Sequence, residues 1–228
     1  MIDFSPLHEL QRVDFYFVRH GKSEGNIKDI VQGRQDYPLS EQGKEQARIT
    51  GQWFRGKPIV KVLTTPLLRG KETARILSET AGLSFPEELP SLIELHTGVF
   101  TGISLEEARL RYPEMYQQFL KLSWEGVEGA ERIYELQKRA ESVWNLLIHR
   151  IGELDKGNSP VKNPSHSGVL VVTHAGFLQW IVKVTLGSQS WFPLLPMGDC
   201  GIYHFSVERT VTRWNLLNFQ APGVSGSR

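Results

Sequence analysis

The sequence predicts an α/β fold: a three-layer α/β/α sandwich around a mostly parallel, mixed central sheet. Short apolar, β-rich runs recur at residues 13–18 (VDFYFV), 59–63 (IVKVL) and 169–172 (VLVV). Each has the length and composition of a buried strand. A helical pattern follows each run, and strand–helix alternation implies parallel pairing with both sheet faces covered. The last two runs, 202–207 and 211–217, are joined across Glu208-Arg209 and read as a hairpin, which makes the sheet mixed.

The intervening elements follow in order. Ser40 reads as the N-cap of a helix reaching Phe54, with Gly43 rather than an acid at its third position. A second helix spans 67–80 and ends at Gly82. Residues 85–92 are punctuated by proline, which allows at most an edge strand. Helical pieces at 105–111 and 114–122 are split by Pro113. From 131 to 154, Ile133, Leu136, Ala140, Val143, Leu147 and Ile151 recur at helical spacing. Residues 156–167, rich in Gly, Asn, Ser and Pro, read as a surface loop, and 177–186 as the last helix. The expected organisation is one domain over 1–220, with a helical subregion at about 100–130 and a disordered tail from 221 to 228.

Composition narrows the function. Lys and Arg number 26 against 25 acids, a net charge of +1. That balance excludes a global field suited to nucleic acid or an anionic membrane. The first residues do not read as a signal peptide, and no apolar stretch in the sequence nears the roughly 20 residues of a membrane span. With a single cysteine, Cys200, no intrachain disulfide or four-cysteine zinc site forms. A cytoplasmic protein is expected. Oligomeric state is not legible, and a homodimer is allowed.

In open α/β sheets, ligands sit beyond the carboxyl ends of the strands. The first run ends at Arg19-His20-Gly21, the second at Thr64-Thr65-Pro66 close to Arg69, and the third at Thr173-His174-Ala175-Gly176. The rule therefore gathers His20, Arg69 and His174 into one crevice. Arginine forks hold phosphate oxygens, and a neutral imidazole can attack phosphorus. A nearby carboxylic acid can protonate the departing alkoxide.

Arg19-His20-Gly21-Lys22-Ser23-Glu24-Gly25-Asn26 resembles the RHG(x)(S/T)xxN signature of the histidine phosphatase superfamily, also called phosphoglycerate mutase-like. Gly33…Asp36-Tyr37-Pro38-Leu39-Ser40-Glu41-Gln42-Gly43…Gln46-Ala47 resembles its GxxDxPLSxxGxxQA stretch. Thr65-Pro66-Leu67-Leu68-Arg69…Thr73-Ala74 resembles SPLxRxxxTA, and Val171-Val172-Thr173-His174-Ala175-Gly176 resembles VVxHGG. Glu94…Gly98…Gly102 and Tyr112-Pro113-Glu114 resemble the acid-bearing segment of its fructose-2,6-bisphosphatase-like branch. The resemblance implies a phosphoglycerate mutase-like fold, no cofactor, no metal and a small phosphorylated substrate. It implies His20 as nucleophile, Arg19, Arg69 and His174 as phosphoryl holders, and Glu94 as acid and then base. Asn26, Ser23, Lys22, Gly33 and Ala175 fall in the substrate-binding set. Four positions depart from the pattern: Ala175 where Gly is frequent, Gly70 where Ala is usual, Lys22 where Glu is common, and Thr101 where Glu often precedes Gly102.

Other readings are weaker. A Walker loop needs glycine where Tyr16 stands. A zinc hydrolase built on His20, Glu24 and His174 lacks an HExxH pair. His96 sits two residues from Glu94 and suits either a pocket mouth or an exposed loop. His8, His149, His166 and His204 have no partner pattern, and Trp124, Phe100 and Met115 read first as core. The function expected is a phosphatase forming a phosphohistidine on His20. The alternatives are a phosphoglycerate mutase using the same intermediate and a phosphoprotein-binding scaffold. The segment after Glu94 lacks the Arg-Tyr-Gly-rich stretch by which mutases grip a carboxylate.

Overall fold

The computed structural model describes residues 2–154 and 166–224. Most of the loop expected at 156–167 and the last four tail residues lie outside them. The tail's start is described: Ala221 is buried and accepts the Val224 N–H at 3.0 Å, so packing continues past residue 220.

Six strands form one sheet in the order β3-β2-β4-β1-β5-β6. β1 (Arg12–Arg19), β2 (Ile59–Thr64), β3 (Glu87–Glu88) and β4 (His166–Thr173) run parallel. β5 (Ile202–Glu208) and β6 (Val211–Phe219) add the antiparallel hairpin. Prolines on both sides hold β3 to two residues at the edge.

Strand alternation sends successive side chains to opposite faces. Phe15, Phe17, Val169 and Val171 pack with α6 (Ile133–Leu154) and α7 (Ala175–Lys183). Trp144 of α6 lies 5.3 Å from the Phe15 ring and 5.1 Å from Phe17, and donates its indole N–H to Ile181 O at 2.9 Å. Tyr16, Val18, Leu170 and Val172 meet the other layer, α2 (Glu41–Phe54) and α3 (Leu68–Ala81). Burying side chains of this size contributes roughly 1.5–3 kcal/mol each. Ser40 caps α2 by accepting the Gly43 N–H at 3.1 Å, and Gly82 closes α3 at φ 72°. The short α1 (Glu24–Ile27) follows β1.

Two boundaries shift for physical reasons. α6 begins at Ile133 rather than 131, because Glu131 leaves the helix to bind arginines. α7 begins at Ala175 rather than 177. Its first free N–H groups find an acceptor in the Glu94 carboxylate, which lets the helix start early. His204, for which the sequence offered no partner, pairs across strands with Tyr16, stacks on it at 4.4 Å and contacts Asp14 Oδ1 at 2.8 Å. Between β3 and α6 lie α4 (Leu105–Arg111) and α5 (Pro113–Leu122), the latter with proline in its first turn. Among the described residues, no helix is long and apolar enough to cross a membrane.

Candidate active site

β1, β4 and β2 are neighbours, so their carboxyl ends emerge side by side. Backbone bonds stitch the emerging loops: His20 N–H to Thr173 O at 2.9 Å, and Thr65 N–H to Val172 O at 3.1 Å. This register brings His20 and His174 to ring centroids 5.1 Å apart. His20 is 3% exposed, Arg69 1% and His174 0%.

Each side chain is held. His20 Nδ1 contacts Gly21 O at 2.7 Å, and a carbonyl can only accept, so the proton sits on Nδ1. Nε2 keeps its lone pair and accepts from Arg69 Nε at 3.3 Å. Burial, and then Arg69 and Arg19, hold the His20 pKa well below the ordinary histidine value. Burial and the same cations do so for His174. Arg69 donates to Gln35 O and Gly33 O, both at 2.8 Å. Burial pushes its pKa down to about 10, so it stays charged at neutral pH. Arg19 bonds Met197 O and pairs with Asp199 at 3.1 Å. His174 Nε2 lies 2.8 Å from Thr65 Oγ1. Arg19 Nε and His174 Nδ1 are buried without a protein hydrogen-bond partner.

The Glu94 carboxylate accepts backbone N–H groups from Leu95 at 2.8 Å, Gly176 at 3.1 Å and Phe177 at 2.8 Å. Two of these come from the N-terminus of α7, where a negative group is favoured. A Cβ on Gly176 would lie 2.8 Å from Glu94 Oε1 and collide with Leu95, so glycine is required there. Arg139 of α6 grips the same loop from behind, donating to Ser91 O at 3.0 Å and Ile93 O at 2.6 Å. Arg34 donates to Glu94 O at 3.0 Å. Glu131 joins both arginines, at 3.1 Å to Arg34 and 2.8 Å to Arg139.

Arg19, His20, Asn26, Gly33, Arg69, Glu94 and Ala175 line one cleft of about 450 Å³. Lys22, Ser23 and the fully buried His174 are not among its lining residues. Ser23 is buried as the N-cap of α1; its hydroxyl accepts the Asn26 N–H at 3.2 Å and has one proton to give to either Asn26 Oδ1 or Gln32 Oε1, each 2.8 Å away. Asn26 Oδ1 also accepts the Ser23 N–H at 3.0 Å, which leaves its NH₂ group for the cleft. Lys22 meets the site only through its backbone, with N–H to Gln46 and O to Ser40. Gly33 contributes its carbonyl to Arg69. His96 is exposed and bonds Gly129 O at 2.9 Å, outside the cleft. Phe100 and Met115 pack under the helical cap, whereas Trp124 both packs there and lines the cleft.

The Arg34–Glu131–Arg139 group escaped the sequence reading. Its signal was present: Arg139 lies three residues after Leu136 and four before Val143, on the apolar stripe of α6. A cation there must be buried and partnered.

A curated relative, described as a probable phosphoglycerate mutase GpmB from Photorhabdus laumondii, is 42% identical over 173 residues, 75% of this chain and 74% of its own length. The solved structure of a mycobacterial glucosyl-3-phosphoglycerate phosphatase shares the fold with a TM-score of 0.75 at 21% identity, over 91% of this chain and 99% of that one. So does a phosphoglycerate mutase from Bacillus anthracis, with a TM-score of 0.75 at 18% identity, over 93% and 96%. The sequence profile of the histidine phosphatase superfamily (branch 1) matches residues 15–220, and the chain belongs to that family.

Proposed function

We propose that the protein is a phosphatase that hydrolyses small phosphomonoesters through a phosphohistidine on His20. The observation that carries this reading is the state of His20. Its Nδ1–H is tied to Gly21 O, and burial beside Arg69 and Arg19 keeps the ring neutral, so Nε2 carries the lone pair that attacks phosphorus once Arg69 Nε turns its hydrogen bond from Nε2 to the phosphoryl oxygens. Arg19 and Arg69 balance the phosphoryl charge, and the unpartnered Arg19 Nε and His174 Nδ1 suit its oxygens. Nε2 forms the N–P bond as the ester P–O bond breaks. Glu94 gives the departing oxygen its proton. Water then attacks phosphorus, Glu94 takes back a proton, and the N–P bond breaks to release phosphate. No step is assigned to a metal.

The name of the Photorhabdus relative raises a second reading, isomerisation of phosphoglycerate through the same phosphohistidine. A phosphoglycerate carries a carboxylate beside its phosphate, and a mutase needs a cation for it. Among the described residues, no Lys or Arg lines the cleft besides Arg19 and Arg69, which the phosphoryl group occupies. This favours hydrolysis.

The test follows inorganic phosphate and 2-phosphoglycerate together, from 3-phosphoglycerate and a phosphomonoester panel with excess EDTA. Phosphate release without isomerisation is expected. His20→Ala should lower kcat/KM by on the order of 10⁴ or more. Isomerisation primed by 2,3-bisphosphoglycerate would make the protein a mutase.

A further inference from the structure

Resting on the phosphatase reading, we infer that the cleft selects phosphomonoesters whose leaving group is uncharged and apolar, an alkyl or aryl alcohol rather than a sugar or an acid. The phosphoryl end of the cleft is polar, but its outer walls are not. One wall is Leu105, Phe119 and Trp124 of the helical cap. Trp124 and Phe119 are in edge contact at 4.9 Å with their rings inclined at 60°, which packs the two apolar side chains against each other.

A second apolar part of the lining is Trp191, Leu194 and Leu195. Side-chain bonds to its backbone hold it in place. Lys183 Nζ donates to Pro193 O at 2.9 Å. Gln179 bonds Leu195 twice, at 2.8 Å to its O and 3.0 Å from its N–H. Tyr203 donates to Pro196 O and Arg19 to Met197 O. An apolar wall that is already ordered loses little entropy when a ligand covers it.

The polar groups between the walls are largely committed. Gln179 is taken up by Leu195, and Thr97 Oγ1 by Thr101 at 2.6 Å. Gln32 Oε1 lies 2.8 Å from the Ser23 hydroxyl. Among the described residues, the donors left over include the Asn26 NH₂ group and the Trp191 indole N–H, and Glu94 is the only charged lining residue besides the two arginines. Burying an unpaired hydroxyl or carboxylate between these walls is unfavourable, whereas each buried methylene tightens binding roughly fourfold.

The experiment uses two matched series. The dissociation constants of ethyl-, butyl- and hexylphosphonate are measured by calorimetry. In parallel, kcat/KM is measured for ethyl, butyl and hexyl phosphate, whose leaving groups are equally basic, and for 3-phosphoglycerate and glucose 6-phosphate. From ethyl to hexyl, affinity and kcat/KM should each rise at least tenfold, and hexyl phosphate should exceed both polar substrates. Leu194 is 52% exposed, so Leu194→Lys should fold normally and shrink the ethyl-to-hexyl ratio. A flat phosphonate series, preference for 3-phosphoglycerate, or an unchanged ratio in Leu194→Lys would overturn the apolar assignment. Tight hexylphosphonate binding without phosphate release from hexyl phosphate would sustain the pocket and sink the phosphatase reading instead.

Discussion

Gly70 has no room for a Cβ, because the methyl of Thr65 fills the space where one would go. The motif this segment resembles carries serine at position 65, so Thr65 departs from it in addition to the four positions named above, one of which is Gly70, where alanine is usual. Both departures are therefore one exchange: the methyl has moved from the helix to the strand end. The consequence reaches the site, since Thr65 Oγ1 is the partner of His174 Nε2. Gly70→Ala alone should overpack the contact and cost about 1–3 kcal/mol, with a loss of kcat as His174 shifts. Thr65→Ser alone should cost about 1 kcal/mol for the missing methyl. The double variant should return close to wild type in thermal stability and turnover. Strictly additive effects in the four-protein cycle would show that the two residues do not share this space.

At the same scale, the sequence made the grouping of His20, Arg69 and His174 legible and left their neighbours ambiguous. His20, Arg69 and His174 could be gathered because each follows an apolar strand, and strand ends converge in a parallel sheet. Ser23 and Lys22 were placed in the substrate set by motif position alone. Motif position does not say which way a side chain turns: Ser23 turns inward to cap α1, and Lys22 stays off the cleft lining.

Elements decide how Glu94 is held. It lies in no long element, yet the α7 N-terminus binds its carboxylate and Arg139 of α6 binds the carbonyls just before it. The Arg139 guanidinium also lies 3.8 Å over the Phe177 ring, so α6, α7 and the acid loop meet at one side chain. Arg139→Met keeps the stem and removes the fork. It should lower kcat for alkyl phosphates by about tenfold to a hundredfold, the cost of a small misplacement of a reacting group. Nitrophenyl phosphate needs little protonation on departure and should be affected far less, as should also hold for Glu94→Gln. An equal loss on both substrates, tracking a loss of thermal stability, would mean that Arg139 supports the fold and not the acid. The periodicity of α6 showed its buried face in advance. What an arginine on that face would grip depended on a loop 46 residues earlier in the chain, which periodicity cannot reach.

Taken whole, the described residues include two buried imidazoles held neutral, His20 and His174. In the unfolded chain a histidine titrates near 6.5. In the folded protein, burial and the flanking arginines depress both His20 and His174 well below that. As pH falls below about 6.5, the unfolded chain takes up protons that the folded one refuses, so stability falls toward acid and is retained above that range. Each histidine contributes a slope of up to about 1.4 kcal/mol per pH unit. Melting temperatures at pH 7.5, 6.5 and 5.5 should therefore drop over the last interval, and His20→Asn should show a shallower drop. An unchanged slope in that variant would mean that His20 is not held neutral.

Sheet topology also divides the labour by chain segment. The phosphoryl half of the cleft comes from loops at the ends of β1, β2 and β4, which the hydrogen-bonded register fixes relative to one another. Both apolar walls come from segments outside that register: the helices between β3 and α6, and the stretch between α7 and β5. Changes of length or composition in those two segments leave the strand pairing intact. The scaffold can thus change what its cleft admits by drift in its inserts while the His20 end of the cleft stays the same.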